Sequence, residues 1–192
     1  MVAVAFEQVL RALQRGLVVG FPTDTVYGVG VDPFDEVAMG RLFEVKGRPD
    51  DKAIPILAAD LEGVRRVAVV GDEVADRASR HWPGALTVVL SKADGVPEWV
   101  GDTERGTVAV RIPDHSTVLE LLRRSGPLAV TSANRSGEPP ALDDRAAQNM
   151  LGRGVAVYVP GVSPGGMSST VVDLTGLDAV VLRVGPVVWE DG

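Results

Sequence analysis

Leu17-Val18-Val19-Gly20-Phe21-Pro22-Thr23-Asp24-Thr25-Val26-Tyr27-Gly28 decides how this chain is read. Residues 17–21 form a short apolar run suited to a buried strand. Pro22 stops it, because proline has no N–H for a sheet ladder. A different period precedes the run. Phe6, Val9, Leu10 and Leu13 recur at helical spacing over residues 6–15, and Gly16 stands where a left-handed residue ends a helix. A helix feeding a short buried strand is the repeating unit of an α/β fold.

The alternation continues outward. Glu36–Lys46 reads as a second helix, with Val37, Leu42 and Val45 inward and Gly47 as its stop. Residues 54–58, 67–70, 85–90 and 107–112 read as strands, with helices over 72–80 and 116–124 between them. Residues 128–131 form a strand that feeds a Ser-Ala-Asn loop. Asp143 or Asp144 can cap a helix ending near Leu151. Residues 155–159, 170–174 and 179–184 close the chain as strands. Helices and strands interleave throughout, so we expect one α/β domain over 1–192, with a twisted, mixed, open sheet and flanking helices.

Bulk properties remove several function classes. With 192 residues the chain can bury roughly 70% of its unfolded surface without staples. It has no cysteine, so disulfides, thiolate catalysis and Cys-ligated zinc are excluded. The N-terminus lacks a basic segment and meets Glu7 early, so no secretory signal is expected. No apolar run approaches the ~20 residues that span a bilayer. A cytoplasmic protein is expected, with no membrane partner. The net charge of −7 and pI near 4.8 oppose a broad phosphate-tracking surface. A focused cationic cleft remains compatible with them.

Familiar motifs fail on physical grounds. Gly28-Val29-Gly30 begins like a dinucleotide fingerprint, but Pro33 falls where the third glycine belongs. Gly161-Val162-Ser163-Pro164-Gly165 spells a nucleophile elbow, yet Pro164 has no N–H for the oxyanion hole. His81 and His115 show no metal-ligand spacing.

Five polar segments remain, each beside an apolar strand or past a helix end. They are Pro22-Thr23-Asp24-Thr25-Val26-Tyr27-Gly28, Lys46-Gly47-Arg48-Pro49, Thr107-Val108-Ala109-Val110-Arg111, Ser132-Ala133-Asn134-Arg135-Ser136-Gly137 and Ser168-Ser169-Thr170-Val171-Val172-Asp173. Gly47 permits a sharp turn and Pro49 stiffens the exit, so Lys46 and Arg48 are expected to project from one rigid corner, with Lys52 near. Arg48 offers a planar fork for phosphate or carboxylate. Strand alternation puts Thr107, Ala109 and Arg111 on one face and Val108 and Val110 on the other. Polar loops at strand carboxyl ends suit ligand binding in open α/β sheets. Residues 160–167 are glycine-rich and adjoin Ser168, which makes them a candidate lid. The set reads as a site for an anionic, phosphate-bearing ligand.

Together these segments resemble the YrdC/TsaC family of threonylcarbamoyl-AMP synthases, over almost the whole chain and in order. The resemblance implies a YrdC-like sheet with a central cleft. It implies a reaction in which L-threonine, bicarbonate and ATP give L-threonylcarbamoyladenylate and pyrophosphate. Transferase proteins would then deliver the threonylcarbamoyl group to adenosine in tRNA, and direct tRNA contact would be weak. The chain is similar to the short form, without the extra C-terminal domain of longer relatives. Carried over by motif, Thr25, Arg111, Ser132 and Ser169 would hold threonine. Arg48, Lys52, Thr107, Asn134, Leu142 and Arg183 would line the ATP site. Lys46 and Arg48 would be the catalytic cations, and Mg²⁺ would accompany ATP without a fixed protein cage. Lys52, Leu57 and Leu142 differ from residues common in relatives. The competing readings are a non-catalytic RNA-binding module of this fold, and a carbamoyl-transfer domain of the kind embedded in larger chains.

Overall fold

The computed structural model describes residues 2–47 and 53–190. Helix α1 (Val2–Gln14) leads into a hairpin of β1 (Val19–Phe21) and β2 (Gly28–Val31), then α2 (Glu36–Lys46). Next come β3 (Ile56–Leu57), α3 (Leu61–Arg65), α4 (Asp72–Ser79), β4 (Leu86–Ser91) and β5 (Thr107–Arg111). The order ends α5 (Ser116–Ser125), β6 (Leu128–Ser132), α6 (Asp144–Leu151), β7 (Val157–Tyr158), β8 (Thr170–Asp173) and β9 (Val180–Arg183).

Local chemistry sets the helix ends. Ala38 N donates to Asp35 Oδ1 at the start of α2, at 3.0 Å, and Ala146 N donates to Asp143 Oδ1 at the start of α6, at 2.7 Å. Gly47 ends α2 with φ 61°, in the left-handed region where a side chain would strain. Arg41 Nη1 donates to Gly16 O at 2.6 Å, tying the end of α1 to α2.

The strands form one mixed sheet in the order β7-β1-β2-β6-β3-β5-β4-β8-β9. β1/β7, β3/β5 and β4/β8 are parallel, and the other neighbours are antiparallel. On one face α1 and α5 pack Phe6, Val9, Leu13, Leu121 and Leu122 against Val19, Phe21, Leu128 and Val130. On the other, Met39 and Leu42 of α2 join Val29, Val31, Val88, Val108 and Val110 in a larger core. The mixed open sheet with flanking helices is the expected architecture.

Three details differ from the sequence reading. β2 was unforeseen: the Gly-Val-Gly-Val run pairs with β1 and β6 and sends Val29 and Val31 into the core. Residues 67–70 make only an isolated bridge, Ala68 to Lys92, beside the unforeseen helix α3. In α2 the buried stripe is Ala38, Met39, Leu42 and Lys46, while Val37 is 63% exposed. The cap at Asp35 sets the helix phase and turns Val37 outward.

Candidate functional site

The α1/α5 core takes no residue from β4, β5 or β8. Beside those helices the sheet face stays open, and a cavity of about 420 Å³ lies over it. Alternation supplies its walls. Val108 and Val110 point into the opposite core, so Ala109 and Arg111 face the cavity. Thr87 on β4 and Val171 on β8 face it for the same reason. Leu57, Val130 and Ser132 line it from the central strands, with Thr23 and Thr25 from the β1–β2 loop and Ser168, Ser169 and Arg183 from the far side. The cavity therefore sits over the sheet face rather than along one carboxyl edge. In a mixed sheet the carboxyl ends of neighbouring strands point both ways, so they share no edge.

The β1–β2 loop is held by its own hydroxyls. Thr23 Oγ1 donates to Val26 O at 2.7 Å and accepts from Thr25 N at 3.2 Å. Thr23 N donates to Ser163 Oγ at 3.0 Å, and Gly165 N donates to Thr25 O at 2.9 Å. Ser163 N also donates to Leu142 O at 2.7 Å. The candidate lid, residues 160–167, is thus bonded to this loop and to Leu142.

Arg111 is held on three sides. Its Nη2 meets Asp24 Oδ1 at 2.7 Å, Nη1 donates to Thr25 Oγ1 at 3.2 Å, and Nε donates to Gly84 O at 2.9 Å. Burial pulls its pKa below the ordinary value, and the Asp24 carboxylate opposes that pull. Arg183 donates through Nε to Ser169 O at 3.0 Å and through Nη2 to Ser169 Oγ at 3.1 Å. Burial and then the Arg111 charge pull its pKa down. Both guanidiniums stay protonated at neutral pH. Among the described residues Arg183 pairs with no carboxylate. Two cations that face one cavity, one of them lowered by the charge of the other, favour an anionic ligand there.

Lys46 does not project from a corner as expected. It is 3% exposed, and its Nζ donates to Ser132 O and Asn134 O at 2.6 Å and to Asn134 Oδ1 at 2.9 Å. It lies on the inward stripe of α2, so the helix aims its ammonium beneath the Ser-Ala-Asn loop. Ser132 Oγ donates to Asn134 Oδ1 at 2.5 Å, and Asn134 Nδ2 donates to Glu138 O at 2.6 Å. Lys46 and Asn134 thus hold the loop whose first residue reaches the cavity.

The proposed threonine residues Thr25, Arg111, Ser132 and Ser169 all line one cavity. Of the proposed nucleotide residues, Arg183 lines it too. Thr107 shares a strand face with Arg111 but lies roughly 13 Å along β5 from it, and its backbone pairs with Asp102. Leu142 is 41% exposed and packs over Gly165. Arg48 and Lys52 lie outside the described residues. Sequence reasoning passed over Thr87, a hydroxyl inside an apolar run. It noted Asp24 without foreseeing its ion pair. Among the described residues no three His, Asp or Glu side chains form a metal-holding group.

Gly185 packs the far wall. A Cβ there would lie 2.5 Å from Ser168 O and 2.6 Å from Ser169 C, and against Thr170 N. Backbone cannot yield as a flexible side chain can. Gly185→Ala is expected to cost about 1–3 kcal/mol, a fall in Tm of roughly 2–12 °C. It should also weaken ligand binding, because Ser169 must move. A melt and an affinity both equal to wild type would show that this wall is not held by the close approach.

The family model for Sua5, YciO and YrdC, described as "Telomere recombination", matches residues 11–185. The chain belongs to the Sua5/YciO/YrdC family. A Mycobacterium tuberculosis protein, provisionally named a threonylcarbamoyl-AMP synthase, is 43% identical over 93% of this chain and 83% of its own length. A Vibrio campbellii threonylcarbamoyl-AMP synthase is 35% identical over 83% of this chain and 88% of its own. The crystal structure of Pyrococcus abyssi Sua5 complexed with L-threonine superposes with a TM-score of 0.86 at 37% identity. That match covers 93% of this chain and 53% of the longer Sua5 chain. Among the described residues no helix is long and apolar enough to cross a membrane.

Proposed function

We propose that this family member is a threonylcarbamoyl-AMP synthase, a nucleotidyltransferase that uses L-threonine, bicarbonate and ATP. The observation that carries the reading is the convergence of Thr25, Arg111, Ser132 and Ser169 on one cavity that also receives Arg183. Hydroxyls and a fixed guanidinium suit an amino acid carboxylate, and a second guanidinium suits a carbamate or phosphate oxygen. Val26, Leu57, Ala109 and Val130 supply apolar wall for a small side chain.

In the proposed chemistry the threonine amine and bicarbonate give a carbamate and water. A carbamate oxygen then attacks the α-phosphorus of ATP, the bond to the bridging oxygen breaks, and pyrophosphate leaves. No protein nucleophile is needed. The side chains position reactants and stabilise charge. Arg111 and Arg183 do so at the cavity, Lys46 acts by holding Ser132 and Asn134, and Arg48 and Lys52 are assigned to the triphosphate. Thr107, Asn134 and Leu142 are assigned to the nucleotide beyond the cavity. The described side chains do not form a cage for Mg²⁺, so in this reading the ion comes with the triphosphate and its oxygens. The product would pass to transferase proteins acting on tRNA in the cytoplasm.

Release of pyrophosphate from ATP should require both threonine and bicarbonate, and Lys46→Ala and Arg48→Ala should be severely impaired. Turnover indifferent to omission of threonine or bicarbonate would overturn the reaction. Normal turnover in both variants would overturn the assignment of these cations. The net charge of −7 disfavours the RNA-binding alternative. Salt-sensitive tRNA retention without any ATP turnover would revive it.

A further inference from the structure

Thr87 is the second residue of β4, where Leu86, Val88 and Leu90 enter the core and Thr87 turns to the cavity. A valine would fill the same volume, so the hydroxyl needs its own explanation. Thr87 Oγ1 lies 2.8 Å from Ser169 Oγ, and on distance alone either could donate. Ser169 Oγ also receives Arg183 Nη2, which can only donate. Thr87 is 2% exposed, and Ser169 is its one side-chain hydrogen-bond partner among the described residues. If Ser169 donated to Thr87, the Thr87 proton would have no fixed acceptor on the protein among the described residues, which is unfavourable. If Thr87 donates, its proton is satisfied. Both lone pairs of Ser169 are then taken, by Arg183 and Thr87, and the Ser169 proton is left to point into the cavity.

We infer that Thr87 is a positioning residue that, with Arg183, makes Ser169 an obligate hydrogen-bond donor to an anionic oxygen of the bound amino acid or its carbamate. The inference rests on reading the cavity as the threonine site, and it adds a residue and a direction to that reading. A hydroxyl free to accept would tolerate an N–H donor, such as an ammonium, in the same place. A hydroxyl with both lone pairs occupied selects acceptor oxygens, which a carboxylate or carbamate supplies.

Calorimetric titration with L-threonine and steady-state kinetics test it. Thr87→Val should weaken threonine binding about tenfold, the loss of one hydrogen bond to a charged group, and raise the threonine KM with little change in kcat. Thr87→Ser should restore affinity toward wild type. In a Ser169→Ala background, Thr87→Val should add nothing, since it acts only through that hydroxyl. Melting curves check that each variant folds, and Thr87→Ala gives a second reading should the valine variant not fold. Wild-type affinity in Thr87→Val overturns the inference, as does a loss that adds in full to that of Ser169→Ala, which would mean Thr87 meets the ligand directly. A wild-type protein that binds no threonine overturns the site reading itself, and the inference falls with it.

Discussion

Arg111→Ala is expected to lower threonine affinity by on the order of 100-fold, the loss of bonds to a charged group worth about 1.5–3 kcal/mol each. The guanidinium is fixed on three sides by Asp24, Thr25 and Gly84, so it waits for a ligand in one orientation. That pre-organisation is what a lysine cannot reproduce. A single ammonium on a flexible stem cannot reach all three partners and still face the cavity, so Arg111→Lys should also lose about tenfold or more. Removing the cation also leaves Asp24, whose side chain is 13% exposed, without its partner. The alanine variant should therefore melt below wild type as well. Asp24→Asn separates the two effects, because it keeps the cation and removes only its counter-charge. Calorimetric titration of threonine against the three variants reads the series. Threonine binding by Arg111→Ala within about threefold of wild type would remove Arg111 from the site.

Lys46→Met should show its largest effect in stability. The methionine keeps the apolar stem but leaves Ser132 O, Asn134 O and Asn134 Oδ1 without the ammonium that joins them. Asn134 Oδ1 keeps the Ser132 hydroxyl and Ser132 O keeps Asn134 N, so Asn134 O is the acceptor left unpaired and a loss of about 1–3 kcal/mol is expected. That corresponds to a Tm roughly 2–12 °C lower. Activity should fall as well, because Ser132 loses its fixed place at the cavity wall. A lysine that only touched phosphates would behave differently: ATP affinity would fall while the melt stayed put. An unchanged Tm in Lys46→Met would therefore refute the strut and favour a direct phosphate contact.

Much of this was legible before any coordinates. Period-2 alternation in Thr107 to Arg111 placed Arg111 opposite Val108 and Val110, and it faces the cavity for that reason. The stop glycine of α2 and the capping aspartate of α6 were readable because they act within one helical turn. The β2 strand was not read. Two glycines weaken an intrinsic strand signal, and the run is stabilised by β1 and β6 rather than by its own propensity. Thr87 passed unnoticed because a threonine in an apolar strand is ordinary until its neighbour across the sheet is known. That neighbour, Ser169, is 82 residues away.

Sequence by itself determined the residue types of the site, the α/β class and the faces of the strands, since each depends on period, caps and turn chemistry that act locally. Only tertiary structure decided direction. It turned Lys46 inward under the Ser-Ala-Asn loop, set Asp24 against Arg111, and brought Ser169 to Thr87 and Arg183 to Ser169. These are contacts between segments far apart in the chain. Their geometry follows from the strand order of a mixed sheet, which no local pattern encodes.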